Sequence, residues 1–184
     1  MLVIIAIPEE KTASLLAEII ALECGEQPKN ARQIRTATVL HDIGKLKIPK
    51  SILLKKCALD SNEFEIIKTH TVLGAEMLSG IQGELGDMIR TVCKYHHEWY
   101  DGTKSYWGKR ASDLPDYVPI VSICDVFTAL VAKRSYKEPW PPDKVLAYIQ
   151  NQAGKQFDPS LVTSFLSLLR DNDRIAAIFL GNKK

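Results

Sequence analysis

Residues Val118 to Ala132 read VPIVSICDVFTALVA, an apolar stretch that carries one formal charge, Asp125. A segment this apolar is read as a helix packed against neighbours on nearly all sides. An ionised carboxylate inside it costs several kcal/mol unless it is paired or bound to a metal. The chain therefore has to fold so that something cationic meets Asp125. That partner is either Arg134 or a lysine, as a structural ion pair, or a metal ion.

The rest of the chain reads as helices. Glu9 to Glu23 carries Leu15, Leu16, Ile19, Ile20 and Leu22 at helical spacing, with Gly25 as the stop. Asn30 to Leu40 is a second helix that delivers His41 and Asp42 at its end, and Gly44 is expected to permit the turn that follows. Pro49 opens a short helical or loop stretch through Leu54. Ser61, as N-cap, starts a helix to about Ser79 on which Ile66, His70, Leu73 and Met77 share one inward face. Gly86 to His97 is the next helix, and Glu98 to Pro115 is a loop long enough to be functional. Pro141 and Pro142 start a helix to Gln152. Asp158 and Pro159, as cap and first residue, start the last one. Residues 2–7 have a strand-like composition but no partner strand. The expected class is all-α, in one domain spanning residues 1–184.

All four histidines, His41, His70, His96 and His97, fall in contexts that suit metal ligands. Each has an ordinary reading when taken singly. His41-Asp42 can be a helix-end cap, His70 a satisfied core histidine, and His96-His97 helix-surface neighbours. Taken with Asp42 and Asp125, they supply enough donors for two metals. Imidazole with carboxylate suits iron, manganese, zinc or nickel better than calcium or magnesium. A metal pair can bind a phosphate ester and activate the water that attacks it.

Composition narrows the partners. With 46% hydrophobic residues a sizeable core is available, and a net charge of +2 gives no reason to expect DNA binding. Lys45, Lys47, Lys50, Lys55 and Lys56 form a local basic stretch without an acid, which favours an anionic ligand near His41, although a solvated lysine-rich loop accounts for most of them. Cys24, Cys57, Cys93 and Cys124 show no metal-type or disulfide-type spacing. Cys24, Cys93 and Cys124 read as small core residues, which suits a reducing, cytoplasmic setting. No run reaches the length of a membrane span.

The order His-Asp, His, His-His, Asp carries a resemblance. The stretches HDIGKLKIPKSILLK from His41, EFEIIKTHTVLGAEML from Glu63, HHEWYDGT from His96, DVFTAL from Asp125 and FDPSLV from Phe157 resemble the HD superfamily of metal-dependent phosphohydrolases, and more closely its HD-GYP branch. The resemblance runs from about Glu9 to Phe165. It implies an HD-domain helical bundle with additional C-terminal helices, two divalent transition metal ions (iron or manganese first, nickel or zinc as alternatives), and hydrolysis of cyclic di-GMP or a related cyclic dinucleotide. Position by position, it implies that Asp42 bridges the metals, that His41 and Asp125 hold the first, and that His70, His96 and His97 hold the second. Lys45 matches the lysine that contacts the scissile phosphate. Arg134 and Lys137 match basic positions that contact substrate phosphates. A diguanylate cyclase (GGDEF) domain or a second copy of the chain, as a homodimer, are the protein partners it brings into view.

The sequence departs from the pattern in several places. Relatives usually carry a further histidine about 32 residues before the His-Asp pair, where this chain has Glu9. Glu9 is either a substitute ligand or an ordinary helix-start acid. The third-metal glutamate position holds Ile5, so a three-metal centre is not expected. Lys104, Ser105 and Tyr106 stand at the Gly-Tyr-Pro signature, which leaves Tyr106 displaced by one residue, either stacking on a base or packing the loop. Pro119 stands where many relatives have arginine. Two functions follow: a two-metal phosphodiesterase, or a catalytically impaired module that senses a nucleotide or docks a signalling protein.

Overall fold

A computed structural model of the chain describes residues 8–132 and 138–172, with side chains from Lys11 onward. The order is α1 (Pro8–Glu23), α2 (Pro28–Leu40), a 3₁₀ turn (Ile43–Lys47), α3 (Lys50–Leu53), α4 (Ser61–Lys68), α5 (His70–Met77), α6 (Gly83–Tyr95), a second 3₁₀ turn (Ala111–Asp113), α7 (Tyr117–Val131), α8 (Pro142–Asn151) and α9 (Pro159–Asp171). The fold is all-α. The only β-type pairing among the described residues is an isolated bridge between Ala153 and Phe157. The strand-like residues 2–7 lie outside the described residues, as do Arg134 and Lys137. None of the described helices is long and apolar enough to cross a membrane.

The apolar run around Asp125 forms the central helix, α7. Val118, Ile120, Val121, Ser122, Ile123, Cys124, Phe127, Thr128 and Leu130 are all buried. Buried residues on every side of one helix mean neighbours on every side, and α7 packs against α1, α2, α6 and α8. Its buried hydroxyl at Thr128 donates to the Cys124 carbonyl at 2.8 Å, so burial leaves no donor stranded. Phe127 meets Phe165 of α9 edge-to-face at 5.2 Å. Truncating either ring to alanine removes about 3–5 kcal/mol.

α1 presents Ala13, Leu16, Ala17, Ile20 and Ala21 to this core. Leu16 and Ile20 are fully buried, while Leu22 is exposed. α1 ends at Gly25, whose φ of +89° costs glycine nothing and lets Glu26 donate back to Ala21 at 2.9 Å. Cys24 lies beyond that helix end and is exposed, contrary to the core role expected of it, whereas Cys93 and Cys124 are buried.

The helix expected from Ser61 to Ser79 is two helices. Asp60, not Ser61, is the cap: its carboxylate accepts from Glu63 N, and Glu63 accepts from Asp60 N, a reciprocal box. The break falls at Thr69, whose hydroxyl and backbone N–H both turn back to the Ile66 carbonyl. The break divides the expected inward face. His70 is buried, while Ile66 and Met77 are exposed.

Gly44 does a different job from the one its sequence context suggested. Its φ is not positive, so turn freedom is not what it supplies. A Cβ there would lie 1.9 Å from the His70 carbonyl oxygen and 2.5 Å from Gly74 N. Glycine lets the first 3₁₀ turn lie directly on the backbone of α5. That contact brings Asp42, just before the turn, to His70, the first residue of α5.

Candidate metal centre

Helix ends supply the site. His41 caps the C-terminus of α2, Asp42 precedes the 3₁₀ turn, His70 begins α5, and His96 caps α6 with His97 following. Asp125 lies in the middle of α7. Helix ends free a side chain to turn away from its own helix and leave carbonyls available to orient it.

Those carbonyls are used. His41 Nδ1 is 2.6 Å from Thr38 O, His70 Nδ1 is 2.5 Å from Ile67 O, and His96 Nδ1 is 2.9 Å from Val92 O and 3.0 Å from Cys93 O. A carbonyl only accepts, so each Nδ1 carries a proton, and Nε2 is the nitrogen left facing inward. His41 Nε2, His70 Nε2, His96 Nε2 and Asp42 Oδ1 are all buried and make no hydrogen bond. Four buried acceptors without donors at one point are costly unless a cation joins them.

The spacings fit such a cation. His41 Nε2 is 3.3 Å from Asp42 Oδ2 and 3.4 Å from Asp125 Oδ1, and His70 Nε2 is 3.2 Å from Asp42 Oδ1. His96 Nε2 is 3.8 Å from the same Asp42 Oδ1. Two donors each about 2.1 Å from one ion lie about 3.0–3.4 Å apart at right-angle to tetrahedral separation, the range of the first three spacings, and farther apart at wider angles, as His96 and Asp42 do. The donors form two groups that share one residue: Asp42, His70, His96 and His97, and His41, Asp42 and Asp125, with ligand atoms within 4.8 Å of one another. Asp42 turns Oδ2 toward one group and Oδ1 toward the other. Glu9 lies in α1, but its side chain is outside the described residues.

Electrostatics agree. Burial alone would depress the His41 imidazole, but the adjacent Asp42 and Asp125 carboxylates outweigh it and hold its pKa well above the usual value. The two acids therefore demand positive charge at that nitrogen, which a proton or a metal satisfies. Burial would raise both acids, yet Asp42 is held well below the carboxylate range by His41 and Lys45, and Asp125 is held low by His41. Burial lowers His97 to about 4 and, with help from His97 and His41, pulls His96 well below its usual value. His96 and His97 are thus neutral, as metal-binding imidazoles must be.

Lys45 forms an ion pair with Asp42 Oδ2 and stays part-exposed, so its ammonium borders the centre. The other lysines of the basic stretch do not converge on it. Lys55 bonds Glu63 at 2.5 Å, and Lys47, Lys50 and Lys56 are exposed. Tyr106 lies over His97, ring centroids 4.5 Å apart and planes at 32°. Burial, then the charges of Asp125 and Asp42, push its phenol up to about 12, so it is neutral.

The sequence reading missed Glu98. It is buried, and its two oxygens accept from Trp107 N at 2.9 Å and Lys109 N at 2.7 Å. The loop is further tied by Tyr100 N and Asp101 N donating to Gln156 O and Lys155 O. An acid in a polar, non-periodic stretch gives no sign of burial, so only its adjacency to His96-His97 hinted at a role.

Against known proteins, residues 5–161 match the family model described as HD domain. The chain is 39% identical over 153 residues to the cyclic di-GMP phosphodiesterase response regulator RpfG of Xanthomonas campestris, covering 83% of this chain and 40% of that protein. It is 37% identical over 153 residues to 3'3'-cGAMP-specific phosphodiesterase 2 of Vibrio cholerae, covering 83% and 29%. The chain thus spans less than half the length of these relatives. Among solved structures, an HDG"Y"P protein from Bdellovibrio bacteriovorus superposes with a TM-score of 0.69 at 17% identity, covering 88% of this chain and 51% of that one, a likeness of fold.

Proposed function

Because this chain belongs to the HD domain family, in its HD-GYP branch, we propose that it is a metal-dependent phosphodiesterase acting on a cyclic dinucleotide, cyclic di-GMP first. The observation that carries the reading is the convergence of three buried Nε2 atoms and Asp42 Oδ1, none with a hydrogen-bond partner, at spacings that suit shared ions. His41, Asp42 and Asp125 would hold one metal, and Asp42, His70, His96 and His97 the other. Iron or manganese fits this mixed imidazole and carboxylate set, with nickel or zinc as alternatives.

A bound metal pair supplies Lewis acidity and an activated water at neutral pH. The chain does the rest. Asp42 fixes the spacing of the two donor groups. Lys45, beside Asp42, meets the charge that develops on the phosphate oxygens. The carbonyl partners of the Nδ1 atoms keep each imidazole in the tautomer that presents Nε2. Tyr106, a neutral ring over His97, walls one side and offers a face to a base. A cytoplasmic setting goes with this reading, since all four cysteines are free thiols.

The test is metal analysis of anaerobically purified protein, followed by turnover of cyclic di-GMP with manganese or ferrous iron supplied. Metal with turnover is expected. Metal and nucleotide binding without turnover would favour the sensing module, a reading supported by Lys104, Ser105 and Tyr106 in place of the Gly-Tyr-Pro signature. A folded protein that takes up no metal would overturn both.

A further inference from the structure

Beside Tyr106 stand two large aromatic side chains that the metal chemistry does not use. Trp107 is 41% exposed and Phe64 is 44% exposed. Phe64 meets Tyr106 edge-to-face at 5.8 Å, so His97, Tyr106 and Phe64 form a row of rings leading out of the metal cleft.

Exposed aromatics are commonly mobile, but Trp107 is braced. Its backbone N–H donates to Glu98 Oε1 at 2.9 Å, and its indole N–H donates to Thr71 Oγ1 at 3.0 Å. Glu98 and Thr71 are both buried, and they directly follow His97 and His70 in the chain. The Lys68 ammonium lies 5.6 Å from the Tyr106 centroid and 5.7 Å from that of Trp107, and it is held there by both Glu65 oxygens at 3.1 Å. The indole's one polar atom is therefore satisfied, and what remains for a ligand is ring face and edge. A surface whose rotamers are already fixed loses little entropy when something stacks on it.

We infer that Trp107, with Phe64 beside Tyr106, is a nucleobase-stacking platform held in register with the metal cleft by Glu98 and Thr71. The inference rests on the phosphodiesterase reading, which puts a nucleotide phosphate at the centre. A base is the occupant that this placement favours, because both braces spring from residues adjacent to the candidate ligands. Tyr106, the first ring of the row, has its centroid 4.5 Å from that of the candidate ligand His97. Stacking on an aromatic ring is also tolerant of base identity.

The test is calorimetric binding to the manganese-loaded full chain with three probes: GMP, ribose 5-phosphate and inorganic phosphate. Wild type is expected to bind GMP more tightly than ribose 5-phosphate. Trp107→Ala should weaken GMP about 5- to 150-fold, the loss of one stacked base. It should leave ribose 5-phosphate within about twofold and the metal load unchanged, and Trp107→Phe should recover most of the GMP affinity. Phe64→Ala gives an independent, smaller loss that is also confined to GMP. Equal affinity for GMP and ribose 5-phosphate in wild type, or equal loss of both in Trp107→Ala, would overturn the platform while phosphate binding at the metals stands. If none of the three probes binds the loaded protein, the phosphodiesterase reading falls and takes the platform with it.

Discussion

Gly44→Ala is a one-carbon change that separates packing from chemistry. The added Cβ would sit 1.9 Å from His70 O, 2.8 Å from His70 C and 2.5 Å from Gly74 N. All three are backbone atoms, so no side chain can rotate out of the way. Restoring a tolerable contact requires the 3₁₀ turn and α5 to part by at least about 1 Å. Overpacking of this kind costs about 1–3 kcal/mol, and a backbone obstacle belongs at the upper end. At about 2–4 °C per kcal/mol for a chain of this size, a loss of about 2–3 kcal/mol lowers Tm by about 4–12 °C. The same parting stretches the 3.2 Å spacing of His70 Nε2 and Asp42 Oδ1 out of the right-angle to tetrahedral range for donors on one ion. The assays are thermal and urea unfolding with chelator present, which read packing alone, and metal content of the folded variant. Gly80→Ala is the control, since a Cβ there meets nothing within 4 Å. It should change stability by less than about 0.5 kcal/mol. If Gly44→Ala matched Gly80→Ala in stability and kept full metal load, the account of how Asp42 reaches His70 would be wrong.

His96→Ala should lower the metal load by about one equivalent per chain while the group of His41, Asp42 and Asp125 keeps its own, as read by elemental analysis. An unchanged load would return His96 to the role of a core residue. Glu98→Gln puts an amide NH2 where a backbone N–H now donates, so loop 98–110 should become protease-sensitive at a cost of about 1–3 kcal/mol, with protection equal to wild type counting against the brace. Asp158 caps α9 by accepting from Ser160 N and Leu161 N, and Asp158→Ala should cost about 1 kcal/mol near neutrality. Burial would raise the Asp158 pKa, but the Ser160 hydroxyl, which also donates to this carboxylate, and the two backbone N–H groups more than offset it and hold the group below its ordinary value. The stabilisation is therefore present above the unfolded carboxylate pKa and lost as pH falls through the folded one. Urea unfolding from pH 6 down to pH 3 should show the difference between wild type and variant shrinking, and a constant difference would reject the charged cap.

The helices were legible because their signals are local. The apolar run around Asp125, the stop at Gly25 and the Asp158-Pro159 start each depend on a few neighbours in the chain, and each matches an element boundary within a few residues. The break at Thr69 was not legible, since a hydroxyl turning back on Ile66 leaves no periodic trace. Glu98 was hidden for the same reason. Its burial comes from two backbone N–H groups several residues downstream, in a loop without periodicity.

By itself the sequence determined the donor inventory: four imidazoles, Asp42, and one carboxylate in a helix too apolar to leave it unpaired. Residue type and chain order set that list. Tertiary structure decided which nitrogen of each ring faces inward, how Asp42 divides its two oxygens between the groups, and why Gly44 must lack a side chain. Those are matters of distances of a few ångströms between segments far apart in the chain. They arise only when helix ends are packed against one another, which no local pattern of residues records.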